Sequence, residues 1–328
     1  MSKTILVTGG AGFIGSNFIH LLIEETDYTV VNVDCLTYSG NLDNLRSIEK
    51  HPRYTFSKTS INNREEITKL LHKHSVEAII HFAAESHVDR SIESASPFFE
   101  TNVMGTLSLL EAARSHGIKR FVHISTDEVY GTLGDEGYFT EETPLAPNSP
   151  YSSSKASSDL LVRSFVHTHN FPAVITRCSN NYGPYQFPEK LIPRMIDLAL
   201  QNKKLPVYGN GLNVRDWIYV KDHNYAVLNV FENGIDGLVY NIGGKSERTN
   251  IDVVTTILSI LGKDNSLIEF VEDRKGHDFR YAIDTSFIEK ELQWSPTVSF
   301  EVGLQKTVEW YIDNKQWIEN IKSGQYQQ

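Results

Sequence analysis

The chain has 328 residues, which suits one large α/β domain with an added lobe, or two domains. Its formal net charge of -10 argues against a protein that binds nucleic acids in general and against one that binds anionic membrane surfaces. Two cysteines, Cys35 and Cys178, are too few for a disulfide framework or a multi-cysteine metal site, so we expect a reducing compartment and no metal centre. The start of the chain shows no signal-peptide pattern, and no apolar run approaches the ~18 residues of a membrane span, so the expected location is the cytoplasm.

Strands and helices alternate along the first part of the chain. The predicted elements are, in chain order, a strand at 4–10, a helix at 13–25, strands at 29–34 and 54–61, a helix at 67–74, a strand at 77–84, a helix at 102–117 and a strand at 120–126. Because the strands are almost wholly apolar, we predict an α/β fold with a doubly wound parallel sheet.

The pattern loosens after about residue 175. Residues 180–193 are rich in Asn, Pro and Gly and predict irregular surface chain, whereas 238–244 predicts a late return to the sheet. The segment after residue 245 predicts two helices around a strand, and hence a smaller C-terminal α/β lobe. The expected domains are a sheet domain at 1–175 with a returning segment at about 216–243, and a lobe at about 176–215 and 244–328.

Residues 8–16 read TGGAGFIGS and lie between the first predicted strand and the first predicted helix. Gly10, Gly12 and Gly15 satisfy G-x-G-x-x-G, and Gly9 gives a second spacing with the latter two. In this context glycines permit a tight turn and let a pyrophosphate approach the N–H groups of the helix start, as in the Rossmann fold. An ordinary glycine turn is the alternative.

Asp34 ends the second predicted strand, about 20 residues after the glycines, where dinucleotide-binding folds place a ribose-binding acid. A carboxylate there accepts hydrogen bonds from ribose hydroxyls and repels a 2′-phosphate. Residues 33–45 contain no Arg or Lys to attract such a phosphate. We therefore predict NAD rather than NADP as the cofactor, with a solvated aspartate as the alternative.

Tyr151 and Lys155 stand four residues apart on a predicted helix, which Asn148 or Ser149 can cap with Pro150 in its first turn. This spacing places both side chains on one helical face. An ammonium near a phenol favours the phenolate and lowers the phenol pKa from its usual ~10. Tyr151 is therefore a candidate base for a hydroxyl, although an exposed helical pair would have the same spacing.

Asp127 and Glu128 are adjacent carboxylates directly after an apolar strand. Like charges in contact repel, so one of the two should resist ionisation. Since adjacent strand residues face opposite sides, a pair acting together must lie just past the strand end. The two residues are either a solvated turn or a matched acid and base.

Five stretches, in this order, resemble the extended short-chain dehydrogenase/reductase family. They are TGGAGFIGS at 8–16, AAESHVDRS at 83–91, STDEVYG at 125–131, YSSSK at 151–155 and NNYGPYQFPEKLIP at 180–193. The resemblance runs from residue 4 to about residue 325. The Thr126-Asp127-Glu128 triplet makes it closest to the nucleotide-sugar 4,6-dehydratases of that family.

The resemblance implies that dTDP-glucose is oxidised at C4 by bound NAD, loses water across C5 and C6, and regains the hydride at C6. Tyr151 with Lys155 would deprotonate the C4 hydroxyl, to which Thr126 would hydrogen-bond. Glu128 would remove the C5 proton, and Asp127 would protonate the departing C6 hydroxyl. Asp127 must then hold a proton near neutral pH.

The resemblance also implies further contacts and a homodimer. The product would be a precursor of deoxysugars such as rhamnose, and the helices near 102–117 and 151–168 could pair across a two-fold axis. The implied cofactor contacts, besides Tyr151 and Lys155, are Gly9, Gly12, Phe13, Ile14, Gly15, Asp34, Cys35, Leu36, Thr37, Ser60, Ile61, Phe82, Ala83, Ala84, Ser86, Thr101 and Asn181. The implied contacts in a substrate-binding lobe and around the triplet are Ser86, Thr126, Asp127, Glu128, Asn180, Lys190, Leu191, Pro206, Val207, Tyr208, Arg215, Asn250, Arg274 and His277.

Some of these residues could have other roles. Arg215 could be a structural ion-pair partner of Asp216, His277 a surface residue, and His87 either a further polar contact or a core histidine. Cys35, Ser60 and Lys275 depart from the usual family residues (Lys, Asp and Pro) and affect the expected cofactor affinity and loop shape.

Two other functions remain open at this point. A UDP-sugar 4-epimerase or decarboxylase would share the glycine loop and Tyr151–Lys155, but would have no use for an acid and a base at C5 and C6. A non-catalytic NAD-binding protein should have lost some of these residues. Residue patterns alone do not decide between a thymidine, uridine or cytidine nucleotide.

Overall fold

A computed structural model describes residues 3–273 and 276–327 of the chain. The strands are β1 (Thr4–Thr8), β2 (Thr29–Asp34), β3 (Tyr54–Lys58), β4 (Ala78–His81), β5 (Arg120–Thr126), β6 (Ala173–Cys178), β7 (Asn180–Tyr182), β8 (Leu205–Tyr208), β9 (Val214–Tyr219), β10 (Val239–Ile242), β11 (Glu247–Thr249) and β12 (Ile268–Val271). The helices are α1 (Phe13–Glu25), α2 (Arg64–Lys73), α3 (Val88–Glu93), α4 (Ser96–Phe99), α5 (Thr106–His116), α6 (Pro150–His169), α7 (Leu191–Leu200), α8 (Val220–Asn233), α9 (Asn250–Ile260), α10 (Ser286–Leu292), α11 (Phe300–Asp313) and α12 (Lys315–Ser323).

Seven strands form one parallel sheet in the order β3-β2-β1-β4-β5-β6-β10. Helices α1 and α8 bury apolar residues on one face of the sheet, and α2, α5 and α6 on the other. The predicted doubly wound Rossmann sheet is therefore confirmed. The strand order reverses between β1 and β4, and such a point opens a crevice at the carboxyl ends of the strands.

The later part of the chain builds a second apolar core beside the sheet. Residues of α7, α9, α11 and α12 pack together there with β8 and β9. Two small sheets, β11-β9-β7 and β12-β8, belong to this region. Helix α10 instead contributes Ile288 to the core of the large sheet.

The structure corrects the prediction for residues 180–193, and after residue 245 its described part has four helices and two strands where two helices and one strand were predicted. Residues 180–193 are not irregular surface chain throughout, because β7 occupies their start and α7 begins at Leu191. Tyr182 is fully buried and packs against Trp217 and Phe300. Pro and Gly residues lie in the loop between β7 and α7. Strand β7 is buried because it packs against residues that are distant in the chain.

The part of the chain that the structure describes contains no helix with both the length and the apolar character that crossing a bilayer requires.

Candidate active site

Two adjoining cavities lie where the carboxyl ends of the large sheet face the second core. The first, of ≈ 310 Å³, extends from the glycine loop to the end of β5. The second, of ≈ 510 Å³, extends from there to β8 and β9. The residues that line both are Ser86, Glu128, Asn180, Glu189 and Lys190.

The glycine loop leaves room for a bound group at the start of α1. Gly9 has a φ of +69°, and a Cβ on it would stand 2.6 Å from the Ala83 nitrogen. A Cβ on Gly15 would stand 2.4 Å from the Gly9 oxygen, so both positions require glycine for packing. Gly12 lines the first cavity and caps α1 without a side chain, so its missing Cβ keeps the helix start open. These features fit the pyrophosphate of a dinucleotide.

Asp34 lies at the end of β2 and lines the same cavity. Its carboxylate accepts hydrogen bonds from the Ala11 nitrogen at 3.0 Å and the Leu36 nitrogen at 2.8 Å. Burial raises the pKa of Asp34, and the two amides act in the opposite direction. The acid is therefore held in place to accept hydrogen bonds from ribose hydroxyls, which fits NAD. Leu36 itself, with a φ of +56°, supports this carboxylate and is not among the residues that line the cavity.

Thr126 caps the turn that carries the two carboxylates. This 3₁₀ turn, Asp127–Tyr130, follows β5 directly, so the carboxylates lie just past the strand end as expected. The Thr126 hydroxyl donates to Asp127 Oδ1 at 3.2 Å and accepts from the Glu128 nitrogen at 3.3 Å. The cap therefore ties the Asp127 carboxylate and the Glu128 backbone to the end of the sheet.

Asp127 is 1% exposed, and its Oδ2 has no hydrogen-bond partner among the described residues. Burial, followed by the negative charge of Glu128, raises the pKa of Asp127 well above its ordinary value. A raised pKa is consistent with the role expected for Asp127, which must hold a proton near neutral pH. A protonated carboxyl in a dry site can donate to a leaving hydroxyl.

Helix α6 presents Tyr151 and Lys155 to the first cavity. Of the two possible caps, Ser149 is the one used, in a reciprocal capping box with Ser152. Both side chains are buried, and the Lys155 ammonium donates to the Ile124 carbonyl at 2.8 Å.

The protonation of this pair differs from the expectation. Burial lowers the pKa of Lys155 to about 8. The pKa of Tyr151 is raised well above 10 and not lowered, because burial and the nearby Glu128 carboxylate disfavour the phenolate. Spacing along a helix places Lys155 near Tyr151, but the desolvation of the phenol depends on the packing around it.

The predicted cofactor residues, apart from Leu36, all line the first cavity. The predicted substrate residues that line the second cavity are Ser86, Glu128, Asn180, Lys190, Leu191, Pro206, Val207, Tyr208, Arg215, Asn250 and His277. Thr126 and Asp127 line the first cavity, at the side where the two adjoin. Arg274, a predicted substrate contact, and Lys275, which stands where the family usually has proline, lie outside the described residues.

Arg215 is held under the second cavity by backbone and aromatic contacts. Its guanidinium donates to the Asp278 carbonyl at 2.9 Å and lies 4.2 Å from the centre of the Tyr281 ring. Asp216, the alternative partner considered from the sequence, accepts hydrogen bonds from the amides of Gly244 and Ser246.

The histidines considered from the sequence also have defined places. His277 is not a surface residue, because its side chain is 6% exposed and its Nδ1 lies 2.6 Å from Asp273 Oδ1. His87 lines the second cavity, and its Nε2 lies 3.5 Å from Glu189 Oε2.

Sequence reasoning missed several residues that line the cavities. Glu189 stands inside a quoted family stretch, next to Lys190, and that position could have identified it. Tyr281 lines the second cavity and packs over Arg215. Arg194 lines this cavity too, from α7. No local pattern distinguishes Arg194 or Tyr281, because β9, α7 and the chain after residue 276 meet only in the folded molecule.

Comparisons with known proteins identify relatives of the whole chain. A family model described as GDP-mannose 4,6 dehydratase matches residues 6–307. The dTDP-glucose 4,6-dehydratase of Neisseria meningitidis serogroup B is 51% identical over 345 residues, covering 99% of this chain and 97% of the relative.

Solved structures resemble the whole molecule. A dTDP-glucose 4,6-dehydratase from Streptomyces venezuelae, crystallised with NAD bound, is 48% identical with a TM-score of 0.95, covering 97% of this chain and 100% of that one. A UDP-glucose 4-epimerase from Thermotoga maritima is 32% identical with a TM-score of 0.89, covering 95% of this chain and 100% of that one. The resemblance found in the sequence is therefore confirmed, and the chain belongs to the nucleotide-sugar 4,6-dehydratase family.

Proposed function

We propose that this protein is an NAD-dependent lyase that converts dTDP-glucose to dTDP-4-keto-6-deoxyglucose and water. The observation that carries the proposal is the position of the Asp127–Glu128 turn. It stands between a cavity that fits a dinucleotide and a second cavity lined by Arg215, Lys190 and Asn250. A sugar that spans the junction would present C5 and C6 to the two carboxyl groups.

The glycine loop, Asp34 and the ends of β4 and β5 would hold the cofactor. NAD, when bound, supplies the acceptor for the C4 hydride and the donor of the same hydride to C6 at the end. All other steps fall to side chains of this chain. The net reaction is loss of water without net oxidation.

Tyr151 would take the proton of the C4 hydroxyl, with Lys155 supplying positive charge nearby. Burial and the charge of Glu128 raise the pKa of Tyr151. Deprotonation of its hydroxyl would therefore depend on the cofactor and sugar that bind in the two cavities. Thr126, which caps the turn, would hydrogen-bond to the same hydroxyl. Ketone formation at C4 then acidifies the C5 hydrogen.

Glu128 would remove the C5 proton, and the electron pair of that bond would form the C5–C6 double bond. The C6–O bond breaks in the same process, and Asp127 gives its proton to the departing hydroxyl, which leaves as water. When the hydride returns to C6, the proton held by Glu128 would return to C5, which completes the product. The raised pKa of buried Asp127 and the partial burial of its neighbour Glu128 support these opposite roles.

A 4-epimerase is the second candidate, because an enzyme of that name shares the fold. Epimerisation at C4 requires no proton transfer at C5 or C6. It gives no reason to place two carboxyl groups at the junction of the cavities and to bury one of them so that its pKa is raised. The geometry therefore favours the dehydratase.

The test is incubation of the protein with dTDP-glucose. We expect a product lighter by one water, with the alkaline absorbance of a 4-keto-6-deoxy sugar, and NAD in the denatured protein. A product of unchanged mass would instead support an epimerase, and no turnover would overturn the proposal. A parallel panel of UDP-glucose and CDP-glucose tests the choice of nucleobase, for which the names of the relatives support thymidine.

We further propose a homodimer through α5 and α6. Phe99, Met104 and Leu160 are 39%, 55% and 54% exposed on or next to these helices, and pairing would remove them from water. Sedimentation should give a dimer, and Leu160→Lys should give monomers. Dimers of this variant would contradict the proposed interface.

Two other proposals concern organisation and location. The division into a sheet domain and a substrate lobe is supported by the two separate apolar cores. The free thiols of Cys35 and Cys178 support a cytoplasmic location.

A further inference from the structure

The proposed reaction uses side chains from two separate elements. Asp127 and Glu128 stand on the turn after β5, whereas Tyr151 and Lys155 stand on α6. Proton transfer to and from the sugar requires both sets at fixed positions, since a misplacement of about 1 Å can cost about 100-fold in rate.

A buried arginine connects the two elements. Arg177 lies on β6 with 6% of its surface exposed. Its Nε donates to Asp159 Oδ2 at 2.9 Å, and its Nη1 donates to the Tyr130 hydroxyl at 3.0 Å. Asp159 is on α6, one turn after Lys155, and Tyr130 is the last residue of the catalytic turn.

We propose that Asp159, Arg177 and Tyr130 form a strut that positions the turn carrying the acid and the base against the helix carrying Tyr151 and Lys155. Tyr130 and Arg177 are then positioning residues for the loss of water. The inference rests on the proposed function for the identity of that step.

The Tyr130 side chain has little freedom within this arrangement. Its hydroxyl accepts from Arg177 and donates to Asn241 Oδ1 at 2.8 Å, and its ring stacks on Phe139 at 5.0 Å between centres. The Arg177 guanidinium also lies 4.8 Å from the centre of the Tyr130 ring. Without the hydroxyl, a buried charged N–H would lose its acceptor, and the turn would keep its apolar packing on α6 but lose this polar connection to it.

The Asp159 end of the strut is also buried. Asp159 is 1% exposed, and His123 Nε2 lies 3.4 Å from its Oδ1. Burial acts to raise the pKa of Asp159, but nearby His123 and the charge of Arg177 outweigh it and hold that pKa below its usual value. The strut therefore keeps its opposite charges at neutral pH.

Tyr130→Phe tests the strut, because it removes one oxygen and keeps the ring. Single-turnover reactions with dTDP-glucose, quenched and resolved by mass, measure the 4-keto-glucose intermediate and the dehydrated product separately. We expect water loss to slow at least about tenfold, with C4 oxidation changed less than about threefold. A merely structural role would slow both steps alike, and that result would overturn the proposal.

Tyr240→Phe is the matched control. Tyr240 is fully buried in the same sheet, and its hydroxyl accepts a hydrogen bond from the Ile235 nitrogen at 3.1 Å, away from both cavities. We expect this variant to keep the wild-type ratio of the two steps. A change in that ratio equal to that of Tyr130→Phe would also overturn the proposal.

Arg177→Gln completes a double-mutant cycle with Tyr130→Phe. If the two residues act as one unit, the double variant should lose water about as slowly as the slower single variant, whereas independent effects would multiply. Multiplying effects would contradict the strut.

Hydrogen–deuterium exchange gives a readout without substrate. Amides of residues 127–131 should exchange faster in Tyr130→Phe than in Tyr240→Phe, and equal exchange would overturn the proposal. Absence of dehydration by the wild-type protein would contradict the proposed function, while this exchange experiment would still decide on the strut.

Discussion

Asp127 and Glu128 are neighbours in the chain but occupy different environments. Asp127 is almost completely buried and lines the first cavity, whereas Glu128 is partly buried and lines both cavities. A sugar in the second cavity can therefore reach Glu128, while Asp127 stays shielded from water. The difference in burial separates the roles of two carboxyl groups that the sequence presents as a pair.

The burial of Asp127 predicts a cost in stability. Because the pKa of Asp127 in the folded protein lies above its unfolded value near 3.9, folding is weakened as the pH rises from about 4 through the folded-state pKa. The Asp127→Asn variant carries no charge there. We expect its melting temperature to exceed that of the wild type, by a margin that grows over this pH window, with about 1.4 kcal/mol for each unit of pKa elevation.

Thermal unfolding across the pH range measures this effect. The exposed Asp135→Asn substitution serves as the control and should change the melting temperature little at any pH. If the melting temperature of Asp127→Asn is at or below that of the wild type at neutral pH, burial of the Asp127 carboxyl does not destabilise the folded protein, and the prediction is wrong.

Glu128→Gln should stop the reaction after its first step. The amide keeps the shape of the side chain but cannot remove the C5 proton, so C4 oxidation should continue while water loss falls by about 100-fold or more. Absorbance of the reduced cofactor should then persist after dTDP-glucose is added. The control is Glu141→Gln, since Glu141 accepts a hydrogen bond from the Asn241 nitrogen and lines neither cavity. Wild-type dehydration by Glu128→Gln would disprove the base assignment.

Gly12→Val should weaken cofactor binding. Gly12 has one atom near its Cβ position within 4 Å, the Gly9 oxygen at 3.3 Å, so a larger side chain would extend into the first cavity. Overpacking costs about 1–3 kcal/mol, which corresponds to roughly 5- to 150-fold weaker retention of NAD. Chromatography of nucleotide released from the denatured protein measures it. Gly134→Val, at an open surface position, should retain NAD as the wild type does.

Arg215→Gln should act on substrate binding. A hydrogen bond from a charged group contributes about 1.5–3 kcal/mol, so KM for dTDP-glucose should rise roughly 10- to 150-fold, with a smaller change in kcat. Steady-state kinetics measure both constants. Arg248→Gln is the control, because Arg248 pairs with Glu301 and lines neither cavity. A loss confined to kcat would contradict a binding role for Arg215.

Much of the fold follows from local patterns. Helix α1 and strands β2 and β5 have the bounds that periodicity predicts, because glycines, polar ends and apolar runs mark them locally. Strand β4 is shorter than predicted and ends at His81, since its last apolar residues pass into the cavity wall. Strand β7 escaped prediction because its burial comes from Trp217 and Phe300, which are far away in the chain.

The sequence by itself determined the chemistry that the site can hold: a glycine loop before a helix, an acid after β2, two adjacent carboxyls after β5, and Tyr151 and Lys155 on one helical face. The tertiary structure alone decided that burial raises the pKa of Asp127 and of the Tyr151 phenol, and that Arg177 joins the catalytic turn to α6. The physical reason is that spacing defines geometry over one or two turns of chain. Desolvation and buried charge pairs instead depend on which distant segments pack against a residue.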